Sequence, residues 1–395
     1  ASDSRLFAHW APCALPQTVL RLSGGSALER NIMASWEGAP FEPRRWRREA
    51  LPIIVAALRR GEKTIVSAVT GSGKSILIAE LIAEALKKMR SDQVIVVTTP
   101  TQALVRQLAA TVGERIGHEL VGMFYGQKKQ SDRRVVVACN PSVELLGFHL
   151  KVEKKQIGFL ICDEVHRTEG EQIQAAITAL YPVCRIGFTA TPFRADEAET
   201  LQLWKTIAYQ YTLGDAWRDG VLVPFVPVPW SGAQRAADVD RICLDMMLEC
   251  DGPGVVSALT ISDAEAYADY LTAHNYRAEA VHSRRKRAEN DATLARLMSG
   301  DLRCVVHVAM LSEGVDIPGL RWICLRRPVG SRVRFVQEVG RVLRVLREPD
   351  LWGEKTSAKV LDPHALFEEH GIAHPAALGE APPKELKEAP LIGST

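Results

Sequence analysis

No apolar run in this 395-residue chain approaches the roughly 20 residues that span a bilayer, so no membrane span is expected. Nor does a long apolar segment follow a basic start within Ala1 to Leu22, which argues against a secretory leader and for a cytoplasmic, intracellular protein. The eight cysteines contain no C-x-x-C pair, which argues against a zinc knuckle or an iron–sulfur cluster. Most of them sit in apolar, strand-like runs and read as buried thiols of a reducing compartment. Charge of one sign is scarce too. The net charge is +2, so a polyanion must be met by local patches: Arg44-Arg45-Trp46-Arg47-Arg48, Arg284 to Arg287 and the arginine-rich stretch Arg321 to Arg347. Each patch taken alone reads equally well as a solvated helix face. No short repeat is present. What is present, 47% hydrophobic and 24% charged residues, is ordinary globular composition, and the length suits two domains of roughly 150 to 200 residues.

The organising stretch is Ala68-Val69-Thr70-Gly71-Ser72-Gly73-Lys74-Ser75, between the apolar run Thr64 to Val69 and a helical pattern from Ile76 to Lys88. It reads as a phosphate-binding loop between a buried strand and a helix. Glycines let backbone N–H groups close around phosphates, the helix N-terminus adds its dipole, Lys74 reaches the outer phosphates and Ser75 can hold Mg²⁺. Ala68 stands where the G-x-x-x-x-G-K-[ST] pattern begins with glycine, yet every phosphate-touching group is kept.

Before the loop, Trp46 to Leu58 has helical spacing. After it, the apolar runs Val94 to Thr98, Val135 to Cys139, Phe159 to Cys162 and Arg185 to Phe188 alternate with helices such as Thr101 to Ile116 and Gln172 to Leu180. Apolar strands separated by helices predict a parallel sheet covered on both faces, with chemistry at the strands' C-terminal ends. Val223 to Pro229 is too proline-rich for a central strand, and the domain boundary is placed there. A second α/β alternation follows, with strands at Val255 to Leu259, Ala278 to Val281, Cys304 to Val308, Trp322 to Leu325 and Lys359 to Leu361, and a helix over Arg332 to Leu346. The resulting division is an N-terminal extension over 1–40, a phosphate-loop domain over 41–213, a linker over 214–235, a second domain over 236–366 and a tail over 367–395.

Two further constellations carry chemistry. Phe159-Leu160-Ile161-Cys162 leads into Asp163-Glu164-Val165-His166, where a strand-end carboxylate can hold Mg²⁺ through water and Glu164 can orient or deprotonate an attacking water. His166 is placed to sense the nucleotide and pass its state to Thr189-Ala190-Thr191. Near the end, Gln337, Arg341 and Arg344 would share one helix face, with Val339, Val342, Leu343 and Leu346 turned to the core. Such a guanidinium pair has the reach to act on a triphosphate bound to the other domain.

Taken in order, Ala68 to Ser75, Thr99-Pro100-Thr101, Asp163 to His166, Thr189 to Pro192, Ser312 to Pro318 and Gln337 to Arg344 resemble the signature motifs of superfamily 2 helicases over roughly Phe41 to Asp362. The Asp-Glu-x-His box is similar to the DExH branch of XPB-like, phage and restriction-motor helicases. The resemblance implies two tandem RecA-like α/β domains and an ATP site using Mg²⁺. It gives Lys74, Asp163, Glu164, His166, Gln337, Arg341 and Arg344 to catalysis. Trp46, Arg47, Thr70, Gly71, Ser72, Gly73, Lys74, Ser75, Gly314 and Asp316 would bind nucleotide, and Ser75 and Asp163 the metal. Pro100, Thr101, Arg106, His282 and Ser283 would lie on the nucleic-acid track, and Thr189 and Thr191 would couple hydrolysis to motion.

One position departs from the family. Where an aromatic residue followed by a glutamine often reads adenine, this chain has Trp46-Arg47. An amide both donates and accepts, whereas a guanidinium only donates, so GTP is expected to be hydrolysed as well as ATP. The reading that results is a monomeric helicase, with an ATP site at the cleft between its domains, moving along DNA in preference to RNA and serving DNA repair or recombination. The alternatives are a double-strand translocase that does not separate strands, an RNA helicase, a binding module with a dead nucleotide site, and a ring-type transport ATPase.

Overall fold

The structure, a computed structural model, describes residues 44–168, 170–190, 203–230, 238–308, 317, 319–346 and 348–372. The expectations for the 1–40 extension, Thr191, Gly314 and Asp316 lie outside the described residues. The chain forms two compact units, the first built mainly from residues up to Tyr211 and the second mainly from Thr212 onward, with Val69–Ser72 grouped with the second.

In the first unit, helix α1 (Arg45–Arg59) leads into β1 (Thr64–Ala68), α2 (Lys74–Leu86), β2 (Gln93–Thr99), α3 (Gln102–Ile116), β3 (Val121–Tyr125) and β4 (Lys128–Lys129). Then come β5 (Val135–Cys139), α4 (Val143–Val152), β6 (Gln156–Cys162), α5 (Glu171–Ala179), β7 (Cys184–Thr189) and β8 (Thr206–Tyr211). The strands lie in the order β4-β3-β5-β2-β6-β7-β1-β8. All neighbouring pairs are parallel except β3 with β4. β1, β2 and β5 are buried along their whole length, as strands covered on both faces must be. Because the central strands run in one direction, the segments after β1, β2, β6 and β7 leave from the same edge of the sheet. That brings the phosphate loop, Pro100, Asp163 and Thr189 to neighbouring strand ends.

The second unit holds α6 (Leu213–Arg218), β9 (Phe225–Pro229), α7 (Val239–Leu248), β10 (Gly254–Ser257), α8 (Ile261–Ala273), β11 (Ala278–Val281) and α9 (Arg287–Met298). It continues with β12 (Cys304–His307), β13 (Trp322–Cys324), α10 (Arg332–Val342), β14 (Ala358–Asp362) and α11 (Leu366–Glu369). Its sheet, ordered β11-β12-β10-β13-β14-β9, is parallel throughout.

Two expected boundaries are corrected. The stretch read as a linker over 214–235 instead supplies α6, closed by a capping box between Thr212 and Asp215, and β9, which pairs with β14 over Phe225 to Pro229. The prolines are tolerated because β9 is the edge strand, where a missing N–H breaks no ladder on the outer side. Residues 367–372, expected to open a tail, pack into the second unit instead. Phe367 packs on Phe225 and Phe335, and the His370 ring is 2.6 Å from the carbonyl of Val329.

The seven cysteines among the described residues are all buried thiols. Burial pushes Cys162 and Cys184 up to about 12 and Cys250 up to about 11.

Candidate nucleotide site and the arginine helix

β1 ends at Ala68 and α2 begins at Lys74, with Gly73 as N-cap at φ 93° and Gly71 in the turn at φ 83°. An L side chain in that region costs about 1–2 kcal/mol, so glycine sets the shape of the turn that carries Thr70 and Ser72. The Lys74 ammonium folds back over the loop. It donates to the carbonyl of Ala68 at 3.0 Å and lies 3.8 Å from Glu164 Oε1. Ser75 follows on the first turn of α2, half-buried.

At the end of β6 the Asp163 N–H bonds the Thr98 carbonyl at 2.9 Å, and Asp163 Oδ1 accepts from the Glu164 N–H at 3.1 Å. Burial, then the neighbouring Glu164 charge, raises the Asp163 pKa to about 7 against the pull of Lys74. A cation beside Asp163 would reverse that penalty. Among the described residues no group of three or more His, Cys, Asp or Glu side chains converges on a metal position. One carboxylate and the Ser75 hydroxyl, completed by water and phosphate oxygens, would make the sparse protein shell that Mg²⁺ accepts.

Glu164 holds φ 51°, a left-handed conformation rare outside glycine. Its carboxylate lies between two groups, with Lys74 on Oε1 and the His166 Nδ1 3.5 Å from Oε2. The same Nδ1 is 3.2 Å from the Thr189 hydroxyl at the end of β7. Burial lowers the His166 pKa, which favours a neutral ring. Gly187 allows this approach: a Cβ there would stand 2.5 Å from Val165 Cγ1, so any side chain would push the His166 turn off β7. The structure thus joins Lys74, Glu164, His166 and Thr189 in one chain of contacts.

The expectation for Trp46 is corrected. Its ring, 1% exposed, stacks on Tyr211 with centroids 4.7 Å apart, and this packing leaves no face for a base. Arg47 is the residue that reaches the loop. It is 1% exposed, and its Nη1 lies 3.8 Å from where a Cβ on Gly73 would stand, with Arg44 Nη1 at 3.9 Å. Arginine clustering marked this segment in the sequence, but nothing there showed that Arg44 approaches the loop beside Arg47.

Of the expected track residues, Pro100 and Thr101 follow β2 on the same sheet edge, and Thr101 caps α3 by accepting from the Leu104 N–H at 3.3 Å. Arg106 is exposed, its guanidinium 5.8 Å from the Tyr125 ring. In the second unit Ser283 is exposed after β11, whereas His282 is buried with its Nε2 3.1 Å from Glu265 Oε1. His282 is therefore corrected from a track residue to one turned into the unit.

The arginine helix is shorter than its pattern predicts. α10 is capped by Ser331 and ends at Val342, so Gln337 and Arg341 share its length but Arg344 lies beyond its C-cap, Leu343. Gln337 is buried and Arg341 half-buried; Val339, Val342 and Leu343 face the core as expected, while Leu346 is only half-buried. Arg344 sits in an isolated bridge with Leu222, next to the bond from the Val223 N–H to the Leu343 carbonyl at 2.8 Å. Its own carbonyl accepts from the Lys355 ammonium at 2.7 Å. Lys355 is buried, and burial, reinforced by Arg321, lowers its pKa to about 7. Sequence reasoning missed Lys355, and no motif would have flagged it. Beneath the helix, burial and the charges of Arg327 and Arg341 depress the His307 pKa to about 3, and Glu338 pairs with Arg327.

Residues 40–194 match the family described as "Type III restriction enzyme, res subunit", and residues 238–346 match "Helicase conserved C-terminal domain". The chain is 23% identical over 346 residues to "Putative helicase 22" of the Sulfolobus islandicus filamentous virus (isolate Iceland/Hveragerdi), covering 77% of this chain and 62% of that protein. It is 24% identical over 349 residues to "Putative ATP-dependent helicase IRC3" of Saccharomyces cerevisiae, covering 78% of this chain and 50% of that one. It therefore spans only part of the length of both relatives. Among solved structures it superposes on the ATP-dependent Type ISP restriction-modification enzyme LlaBIII bound to DNA with a TM-score of 0.66 at 16% identity, covering 82% of this chain and 28% of that one. Identity that low supports the fold alone.

Proposed function

Because the chain belongs to the superfamily 2 helicases, we propose that it is a nucleic-acid-stimulated ATPase whose two RecA-like units couple hydrolysis to movement along DNA, with strand separation as the output. The observation that carries this reading is the contact chain from Lys74 through Glu164 and His166 to Thr189, which links a phosphate-binding ammonium to a strand-end hydroxyl. In this reading Lys74 exchanges the Ala68 carbonyl for a phosphate oxygen when nucleotide binds. Glu164, released from Lys74, orients the attacking water and takes its proton. His166, neutral, reports the state of Glu164 to Thr189 through its ring. Asp163 and Ser75 hold Mg²⁺, which neutralises phosphate charge when bound. The family's motif gives Gln337, Arg341 and Arg344 to catalysis within this same chain, so one chain suffices and a monomer is the working form. DNA is favoured over RNA by the restriction-enzyme family matched by the first unit.

The test is ATP hydrolysis by the purified chain alone and with single-stranded DNA, duplex DNA and single-stranded RNA, beside a Glu164→Gln control. Stimulation by single-stranded DNA that vanishes in the control supports the proposal. Stimulation by RNA alone overturns the choice of track, and a rate indifferent to all three polymers overturns the motor itself. A strand-displacement assay separates an unwinding enzyme from a duplex translocase.

A further inference from the structure

The second unit contains a buried lysine that bonds the backbone of one proposed catalytic arginine. Lys355 lies at the end of the loop 350–355, and its ammonium bonds the Arg344 carbonyl at 2.7 Å while the side chain is shielded from water. The loop is built rather than slack. Asp350 Oδ1 accepts from Arg321 at 2.5 Å and from the Trp352 N–H at 2.9 Å. The Arg321 guanidinium also donates to the carbonyls of Gly353 and Glu354, and the Gly353 N–H closes a turn on the Asp350 carbonyl at 2.9 Å. Arg321 adjoins β13, so the loop is tied to the sheet at its root. The charged groups facing Lys355 are Arg321, Asp350 and Arg344.

Arg344 needs such a hold because it has left the helix. The carbonyls at a helix C-terminus have no partner within the helix, and side chains or distant backbone must satisfy them. Here Val223 caps the Leu343 carbonyl and Lys355 caps that of Arg344, and the two together fix the backbone from which the guanidinium extends. Burying an ammonium is costly without a partner, so its presence at this carbonyl requires a compensating bond there.

We propose that Lys355 is a positioning residue for Arg344, clamping its backbone so that the guanidinium is aimed for phosphoryl transfer. This rests on the reading of Arg344 as a transition-state arginine. Lys355 itself touches no substrate.

The experiment compares Arg344→Ala, Lys355→Met, Lys355→Arg and the double variant Arg344→Ala/Lys355→Met, in steady-state ATP hydrolysis with saturating single-stranded DNA, or RNA if that is the stimulating polymer. Misplacing a reacting group by an ångström costs up to about 100-fold, so Lys355→Met should lower kcat by roughly 10- to 100-fold while KM for ATP moves less than about threefold. The charge-keeping Lys355→Arg should recover most of the loss, and Lys355→Met should add nothing once Arg344 is alanine. Circular-dichroism melting certifies that each variant is folded; if Lys355→Met does not fold, Lys355→Gln takes its place. A wild-type kcat in folded Lys355→Met, with Arg344→Ala crippled, overturns the clamp and spares the reading of Arg344. A wild-type rate in Arg344→Ala overturns that reading. A Lys355→Met loss that persists undiminished in the Arg344→Ala background shows that the lysine acts elsewhere and also overturns the clamp.

Discussion

The two units hold charged side chains in place in opposite ways. In the first, Glu164, His166 and Thr189 follow or end the adjacent parallel strands β6 and β7, Lys74 opens the helix after their neighbour β1, and the sheet fixes the spacing of those strands. In the second, Arg344 has no strand or helix of its own and is held by Leu222, Val223 and a lysine eleven residues on. A strand-end site is set by the sheet itself. A post-helical arginine is only as well aimed as its supports.

The largest effect that tests this contrast is removal of the second unit's guanidinium. Arg344→Ala is expected to lower kcat by about 10³-fold or more, the usual worth of an arginine finger, with ATP binding largely kept. A loss under tenfold would mean that the second unit's arginines are structural. Next comes Glu164→Gln, which keeps the size of the side chain while removing a base worth about 10²- to 10⁴-fold. Because the first unit's site is pre-wired, nucleotide affinity should not fall with the rate, and equilibrium binding of a fluorescent ATP analogue would reveal a collapse if it does.

A smaller effect concerns base choice. Arg47 follows Trp46 where a glutamine often reads adenine in the family; a guanidinium only donates, as suits the O6 and N7 acceptors of guanine, whereas an amide suits adenine. The wild-type chain is expected to hydrolyse GTP within about a hundredfold of ATP, and Arg47→Gln to shift the kcat/KM ratio toward ATP by about tenfold, the worth of one such contact. Competition kinetics showing an unmoved ratio would place Arg47 outside base reading.

The smallest effect is on stability. Burial raises the Asp163 pKa from 3.8 to about 7, so the fold prefers its protonated form. That contribution is complete below the unfolded value near 4 and is lost as pH rises through about 7. Asp163→Asn does not titrate, so in the absence of nucleotide its melting temperature should gain on wild type between pH 5 and pH 8. A difference that stays constant across that range would show that Asp163 is ionised at little cost.

Much of the fold was legible. The apolar runs of β1, β2, β5 and β6 are long, buried on both faces and bounded by turns, and the local pattern suffices for them. β8 was not found, because Thr206 to Tyr211 is an edge strand left mostly half-exposed or exposed, without a core run to mark it. The prolines of β9 argue against a strand, and only edge placement makes them harmless. The end of α10 was also hidden. Arg341-Val342-Leu343-Arg344-Val345-Leu346 contains no glycine or proline stop, and the helix ends at Val342, just before the Leu343 and Arg344 carbonyls that Val223 and Lys355 take. The place of Trp46 is not legible either, because an aromatic beside arginines looks the same in sequence whether it faces a base or Tyr211.

The buried thiols have a practical consequence. Cys139, Cys162 and Cys184 lie in the first unit and Cys243, Cys250, Cys304 and Cys324 in the second, all shut away from solvent. A thiol-specific reagent reacts with them only when the surrounding structure opens, and reaction slows further where the thiolate is disfavoured. The chain thus carries its own clocks: the labelling rate of each cysteine times the opening of its unit, and nucleotide that tightens one unit should slow one set of clocks more than the other.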